Sequence, residues 1–220
     1  MLNKRLQAVA KMVDKCDVVA DIGCDHAFLA ISLIENKQCS KVYATDVASG
    51  PLSIAQANVK SAQLTDKIEC LLSDGFANIP DDVDVAIIAG MGYHTAIAIL
   101  EAAMSRLMKM QSIIVQINTD VELFRKWLSD HRYTIIEEKI VFDRKYYTII
   151  KFNLNNADCL DEIAIEFGPK LLQNKDEVFM QYNQKKLATY KMILAKITND
   201  DAKKAFIQDK IALYEKVLNI

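Results

Sequence analysis

Short apolar runs bounded by turn residues alternate with longer stretches of helical period through the first two thirds of the chain. That alternation predicts βαβ units around a mostly parallel sheet, because a crossover helix is what joins two parallel strands. Strands are expected at Asp17 to Ile22, Lys41 to Thr45, Ile68 to Leu72, Val83 to Ala89 and Ser112 to Ile117. Helices are expected at Leu2 to Val13, Ala27 to Glu35, Pro51 to Ala62, Thr95 to Lys109 and Val121 to Ser129. Pro51 suits a first helical turn, where its missing N–H has no partner to lose. Trp127 reads as core and His131, beyond a helix end, as exposed.

Two more β-rich runs, Tyr133 to Val141 and Tyr146 to Phe152, are separated only by Phe142 to Lys145, too little chain for a parallel crossover. They must form a hairpin, so the sheet ends with an antiparallel strand. Five βα units closed by a hairpin resemble the class I methyltransferases that use S-adenosylmethionine (SAM), and differ from the six parallel strands of a dinucleotide-binding dehydrogenase. The expected fold is α/β, a Rossmann-like, doubly wound, seven-stranded sheet over residues 1–153. A polar linker at Asn153 to Asp158 then leads into a C-terminal helical hairpin within 154–220. There Met180, Leu187, Tyr190, Leu194 and Ile197 keep a 3,4 spacing if Asn183 fills the open slot, and Ile207, Ile211, Tyr214 and Leu218 resume it. Thr198, Asn199, Asp200 and Asp201 supply the turn and the next helix cap.

Charge excludes one class of function. With 27 basic and 29 acidic residues the net charge is -2, so no global field draws the protein to nucleic acid or membrane. Any RNA contact must come from a local patch. From Lys170 to Ile220 ten lysines face six acids, a balance of +4. That segment reads either as a solvated helix surface or as an RNA-facing arm, with Lys185 and Lys186 as candidate contacts. The five cysteines are scattered and never spaced as CxxC, which suggests neither a disulfide framework nor a metal site and fits a reducing cytoplasm. The opening segment is interrupted by charges every few residues, so neither a signal peptide nor a membrane span is expected. No obligatory protein partner is evident.

The chemistry is densest at Ala20 to Ala30, ADIGCDHAFLA, which sets Gly23 between the first strand and its crossover helix. Glycine there lets a ligand approach the backbone closely. A dinucleotide fingerprint needs GxGxxG, and a pyrophosphate would be repelled by Asp21 and Asp25, whereas the sulfonium and ammonium of SAM would be attracted. Asp46 closes the second strand, where a carboxylate accepts ribose hydroxyls. Asp74 and Gly75 close the third, placed for the adenine. Ala89, Gly90, Met91 and Gly92 close the fourth, where donor meets acceptor. Four elements at four successive strand ends match the rule that ligands of open α/β sheets bind outside the carboxyl edge. His26 reads as a packed residue or a cofactor contact, and Asp25 as a helix cap or a group facing the acceptor. Tyr93 and His94 read as loop residues or as flanks of a flipped base.

Together RLQAVA (5–10), DIGCDHAFLA, IAGMG (88–92), LFRKWL (123–128) and FGP (167–169) resemble the bacterial tRNA adenine-22 N1-methyltransferases over essentially the whole chain. The resemblance implies SAM as cofactor and tRNA as partner, methylation of ring nitrogen 1 of a D-loop adenine, and a helical hairpin after the catalytic domain. It also implies in-line attack by the nitrogen's own lone pair, so that proximity and alignment dominate over base catalysis. Asp25 would align or deprotonate the adenine amine, and Asn118 or Gln116 would meet the base edge. The chain departs from the family pattern at Tyr93, where a second glycine is usual, and at Ile117, where proline is usual. Competing readings are a SAM methyltransferase for a small molecule or protein, and a non-catalytic SAM-binding scaffold. No (N/D)PPY motif of the common exocyclic-amine enzymes is present.

Overall fold

The computed structural model describes residues 2–198 and 200–219. Chain order is α1 (Lys4–Lys11), β1 (Val18–Ile22), α2 (Phe28–Glu35), β2 (Lys41–Asp46), α3 (Ser49–Ser61), β3 (Ile68–Leu72), β4 (Val85–Met91), α4 (Tyr93–Ala102), α5 (Met104–Leu107), β5 (Ser112–Ile117) and α6 (Val121–Asp130). The antiparallel pair β6 (Tyr133–Asp143) and β7 (Lys145–Asn156) follows, then α7 (Glu162–Phe167), α8 (Pro169–Asn174), α9 (Glu177–Leu194) and α10 (Asp201–Leu218). The sheet has seven strands in the order β3-β2-β1-β4-β5-β7-β6. Strands β1 to β5 are parallel, β7 runs against β5, and β6 takes the edge. The strand order reverses between β1 and β4, which opens a crevice at the carboxyl edge there.

The central parallel strands β1, β4 and β5 are near-continuous apolar runs because helices cover both faces. Val19, Val42, Val85, Ile87 and Ile114 join Val9 of α1 and Leu33 of α2 on one side. On the other, Ala20, Ile88, Ile113, Val115 and Ile117 pack with Leu100 of α4 and Phe124, Trp127 and Leu128 of α6. Trp127 is buried as expected, and His131, although exposed, sets its ring 4.5 Å from the indole and its Nδ1 2.8 Å from the Trp127 carbonyl.

Four expectations change. The single helix expected at Thr95 to Lys109 breaks at Ala103 into α4 and α5. Beyond the break, Arg106 donates to the carbonyls of Ile79 and Pro80, tying α5 to the loop after β3. The linker expected at Asn153 to Asp158 begins inside β7, which runs to Asn156, and two short helices follow it. Compactness divides the chain later than residue 153, into Met1–Lys170 and Leu171–Ile220. In the second unit, α9 and α10 are each capped by an aspartate, Asp176 accepting from Phe179 N and Asp200 from Lys203 N. The buried stripe of α9 starts at Phe179 rather than Met180 and continues through Asn183 and Leu187, since a spacing of four keeps these on one face. Asn183 satisfies its amide on the Phe179 carbonyl at 2.9 Å. Asn199, expected in the turn, lies outside the described residues.

One buried ion pair fastens the end of the first unit. Arg125 of α6 donates Nε to Glu138 Oε1 of β6 at 2.7 Å, and both side chains are almost wholly buried. The Arg125 guanidinium also donates to the carbonyls of Ile165 and Glu166, ending α7, and Glu138 Oε2 accepts from Lys170 N at 3.0 Å. Gly168 passes over this pair at φ 92°, where an added Cβ would lie 2.6 Å from Glu138 Oε2 and 2.8 Å from an Arg125 nitrogen.

Candidate active site

The ends of β1 to β4 form one wall of a cavity of about 930 Å³, lined by Asp21, Gly23, Asp25, His26, Asp46, Asp74, Gly75, Ala89, Gly90 and Met91 among others. Ten expected site residues thus meet in one place. Gly92, Tyr93, His94, Gln116, Asn118, Lys185 and Lys186 are not among its lining residues.

The loop from β1 to α2 is bent tightly. Gly23, Asp25 and Ala27 all have φ between 54° and 72°, a conformation that costs the two non-glycine residues energy. Cys24 N donates to Thr45 O and Asp25 N to Asp46 Oδ2, so β2 holds the loop in this shape. A Cβ on Gly23 would lie 2.6 Å from the Met91 methyl, so a side chain there would crowd the end of β4 against the cavity.

Asp21 is the unusual group. It is 3% exposed, and its Oδ2 has no hydrogen-bond partner among the described residues. Burial pushes its carboxyl up to about 7, with the Arg5 guanidinium partly opposing the shift. A buried acceptor without a donor is costly unless a ligand supplies one. Asp46 keeps a different posture: it is half-exposed, and its Oδ1 accepts from Ala48 N at 2.9 Å. Asp25 and Asp74 are exposed at the rim, and His26 Nε2 stands 3.6 Å from Asp25 Oδ1.

Arg5 was not anticipated as a site residue, although it lines the cavity from α1. Its Nη1 donates to Gln116 Oε1 at 2.6 Å, Gln116 Nε2 donates to Asn118 Oδ1 at 3.1 Å, and Asn118 Nδ2 donates to Gly90 O at 2.6 Å. Gln116 is fully buried with both ends of its amide engaged, so it cannot meet a base edge as expected; it carries a brace from α1 to β4. Asn118 likewise spends its side chain on Gly90 and its backbone N–H on Met91 O. Tyr93 and His94 open α4 with their rings edge-on at 5.1 Å. Phe76, Phe28, Val47 and Ser73 also line the cavity and escaped the sequence reading. The signal for Arg5 was there: it lies three, four and seven positions before Ala8, Val9 and Met12, in phase with the buried stripe of α1.

These residues fit SAM and disfavour a phosphate-bearing nucleotide. Four carboxylates line the cavity, against the guanidinium groups of Arg5 and Arg106, and Arg106 is committed to the carbonyls of Phe76, Ile79 and Pro80 and to Asp81. A pyrophosphate would meet mostly negative charge, whereas SAM brings two positive groups and one carboxylate. On a sheet closed by an antiparallel strand, that electrostatic match makes this protein a class I SAM-dependent methyltransferase.

Comparison with known proteins narrows the class. Residues 19–216 match TrmK, the tRNA (adenine(22)-N(1))-methyltransferases, and the chain belongs to that family. It is 33% identical to the tRNA (adenine(22)-N(1))-methyltransferase of Bacillus subtilis (strain 168) over 187 residues, 82% of this chain and 79% of the relative. M. capricolum TrmK in complex with S-adenosylhomocysteine superposes with a TM-score of 0.89 at 33% identity, covering 100% of this chain and 98% of its own. Sp1610 of Streptococcus pneumoniae, solved with SAM, gives a TM-score of 0.90 at 32% identity and covers 99% of this chain and 100% of its own.

Proposed function

We propose that this cavity binds SAM and that the chain methylates ring nitrogen 1 of adenine 22 in tRNA, in keeping with its family. The observation that carries the reading is the buried, unpartnered Asp21 carboxylate at the switch point of the sheet. When bound, SAM supplies a methyl group on a positively charged sulfur. Asp21 Oδ2 would receive the ammonium, Arg5 the carboxylate, Asp46 the ribose hydroxyls, and Asp74 with Gly75 the adenine edge. His26 and the segment Ala89 to Met91 complete the walls. Asp46→Ala is expected to weaken SAM binding by roughly 1 to 3 kcal/mol, the usual loss for a charged hydrogen-bond partner, read by calorimetry.

The acceptor adenine needs no general base, because its N1 lone pair is free in the neutral base. Catalysis then rests on alignment and on charge. Methylation at N1 leaves the ring positively charged, and the exposed Asp25 carboxylate is placed to stabilise that charge or to accept a proton from the exocyclic amine. Gln116 and Asn118 act behind the site by fixing Gly90, and Tyr93 and His94 flank the base. The test is transfer of labelled methyl from SAM to unmodified tRNA and to the same tRNA with guanine at position 22. Labelling of the first alone is expected; equal labelling of both would refute the position.

Lys185 and Lys186 lie on α9 of the second unit, and we assign that unit to tRNA binding. Ending the chain at residue 175 is expected to preserve SAM affinity while lowering tRNA methylation at least tenfold by loss of phosphate contacts. Full activity of the shortened protein would remove the assignment. No helix among the described residues is long and apolar enough to cross a membrane, and no group of three or more His, Cys, Asp or Glu among them could hold a metal ion. All five cysteines are free, which supports a reducing, cytoplasmic setting.

A further inference from the structure

The tip of the β6–β7 hairpin stands on the same edge of the sheet as the cavity. Thr148 of β7 pairs with Ile117, the last residue of β5, so the residues before Thr148 run past the carboxyl end of the parallel strands. There the register sets Val141 opposite Tyr147, Phe142 opposite Tyr146 and Asp143 opposite Lys145, with the chain reversing at Arg144 in the left-handed region, φ 64°. Side chains alternate between faces along a strand. Tyr147 turns toward α1, where the Arg5 guanidinium lies 5.6 Å from its ring centroid, and Asp143 Oδ2 accepts from Arg5 N at 3.4 Å. The tip is therefore attached to the residue that lines the cavity and begins the Arg5–Gln116–Asn118 brace.

Phe142 and Tyr146 take the opposite face, with ring centroids 4.9 Å apart. Phe142 is 47% exposed, at a point of the hairpin past the end of β5. Arg144 and Lys145, both exposed, sit at the turn next to it and neither forms an ion pair among the described residues; Lys145 lies on the Tyr147 face, its Nζ 5.0 Å from that ring's centroid. An exposed aromatic ring at a turn that carries two cations, on the sheet edge that bears the cavity, has the composition of a surface for unpaired RNA: the ring stacks a base and the cations neutralise phosphates.

We propose that the tip, Phe142 to Lys145, is a second RNA contact of this enzyme, stacking a nucleotide near the target adenine on Phe142 while Arg144 and Lys145 meet phosphates of the same strand as it passes the turn. The proposal rests on the tRNA-methylating reading of the cavity. It gives a chain with a net charge of -2 two cations for phosphate on the sheet edge that bears the cavity.

The test uses the full chain and unmodified tRNA. Phe142→Ala is expected to raise KM for tRNA about tenfold, the effect of losing one stacked base, with S-adenosylhomocysteine affinity by calorimetry unchanged. Phe142→Trp should restore the wild-type KM and Phe142→Leu should not, because stacking needs a flat π-face rather than bulk. Replacing Arg144 and Lys145 together by Gln should flatten the slope of log Kd against log salt by about one to two. This second arm decides the matter if Phe142→Ala fails to fold. Unchanged KM and salt slope, or rescue by Leu, would each overturn the proposal. Failure of the wild-type protein to methylate tRNA would instead strike the functional reading on which it stands.

Discussion

Asp21→Asn is expected to weaken S-adenosylhomocysteine binding by about ten- to a hundredfold at about pH 8, the 1.5 to 3 kcal/mol typical of a hydrogen bond to a charged group. Asparagine keeps the shape and one acceptor but loses the charge that the ligand's ammonium requires. The effect depends on pH in a defined direction. In the empty protein burial holds the Asp21 carboxyl near 7, so the site is ionised above that value and protonated below it. Ligand affinity of the native protein should therefore fall about tenfold from pH 8 to pH 6, while Asp21→Asn should be nearly flat across that range. Stability runs the other way. A carboxyl whose folded pKa is raised contributes stability at low pH that is lost as the pH climbs from its unfolded value, 3.8, to about 7. At pH 8 the ligand-free variant should melt no lower than the native protein. A lower melting temperature together with unchanged ligand affinity would make Asp21 a structural residue.

Arg125→Met is expected to destabilise the protein by about 3 to 5 kcal/mol, the usual result of removing one partner from a buried ion pair. The loss has three parts that the structure names: Glu138 is left charged in the core, the carbonyls of Ile165 and Glu166 lose their donor, and the end of α7 is released. Gly168→Ala should approach the same magnitude by another route, since φ 92° strains an L-residue and the new methyl would press on both members of the pair. Chemical denaturation of each variant, and of Arg125→Met with Glu138→Leu, separates the causes. The double variant should recover much of the stability, because a hydrophobic pair replaces an orphaned charge. Arg125→Met unfolding at the wild-type midpoint would contradict the assignment. The pair also explains why LFRKWL and FGP occur together in one chain: the arginine of the first and the glycine of the second meet over Glu138.

The parts of the fold that were legible in the sequence are those whose cause is local. The strand at Ser112 to Ile117 coincides with its apolar run because both faces are covered and nothing else competes, and the edge strand at Ile68 to Leu72 is read from its short apolar run even though only Ile68 is buried. Gly23, Asp46, Gly75 and Gly90 were legible because turn chemistry and strand ends announce them. What escaped is long-range. The bond from Arg5 to Gln116 spans 111 residues, and only its geometry shows that Gln116 is a brace rather than a substrate contact. The six-residue α7 is too short to show a period, and it exists because Asp161 caps one end and Arg125 satisfies the other. The break at Ala103 is likewise invisible in a run of good helix formers; Arg106, past it, bonds carbonyls 26 and 27 residues earlier.

Nucleoside mass spectrometry of an unmodified tRNA transcript, digested after incubation with the protein and isotopically labelled SAM, bears most directly on the central claim. One labelled 1-methyladenosine per tRNA, mapped to position 22 and formed about ten to a hundred times more slowly by Asp21→Asn at subsaturating SAM, is the predicted result. Label in N6-methyladenosine, in another nucleoside, or in none would contradict it.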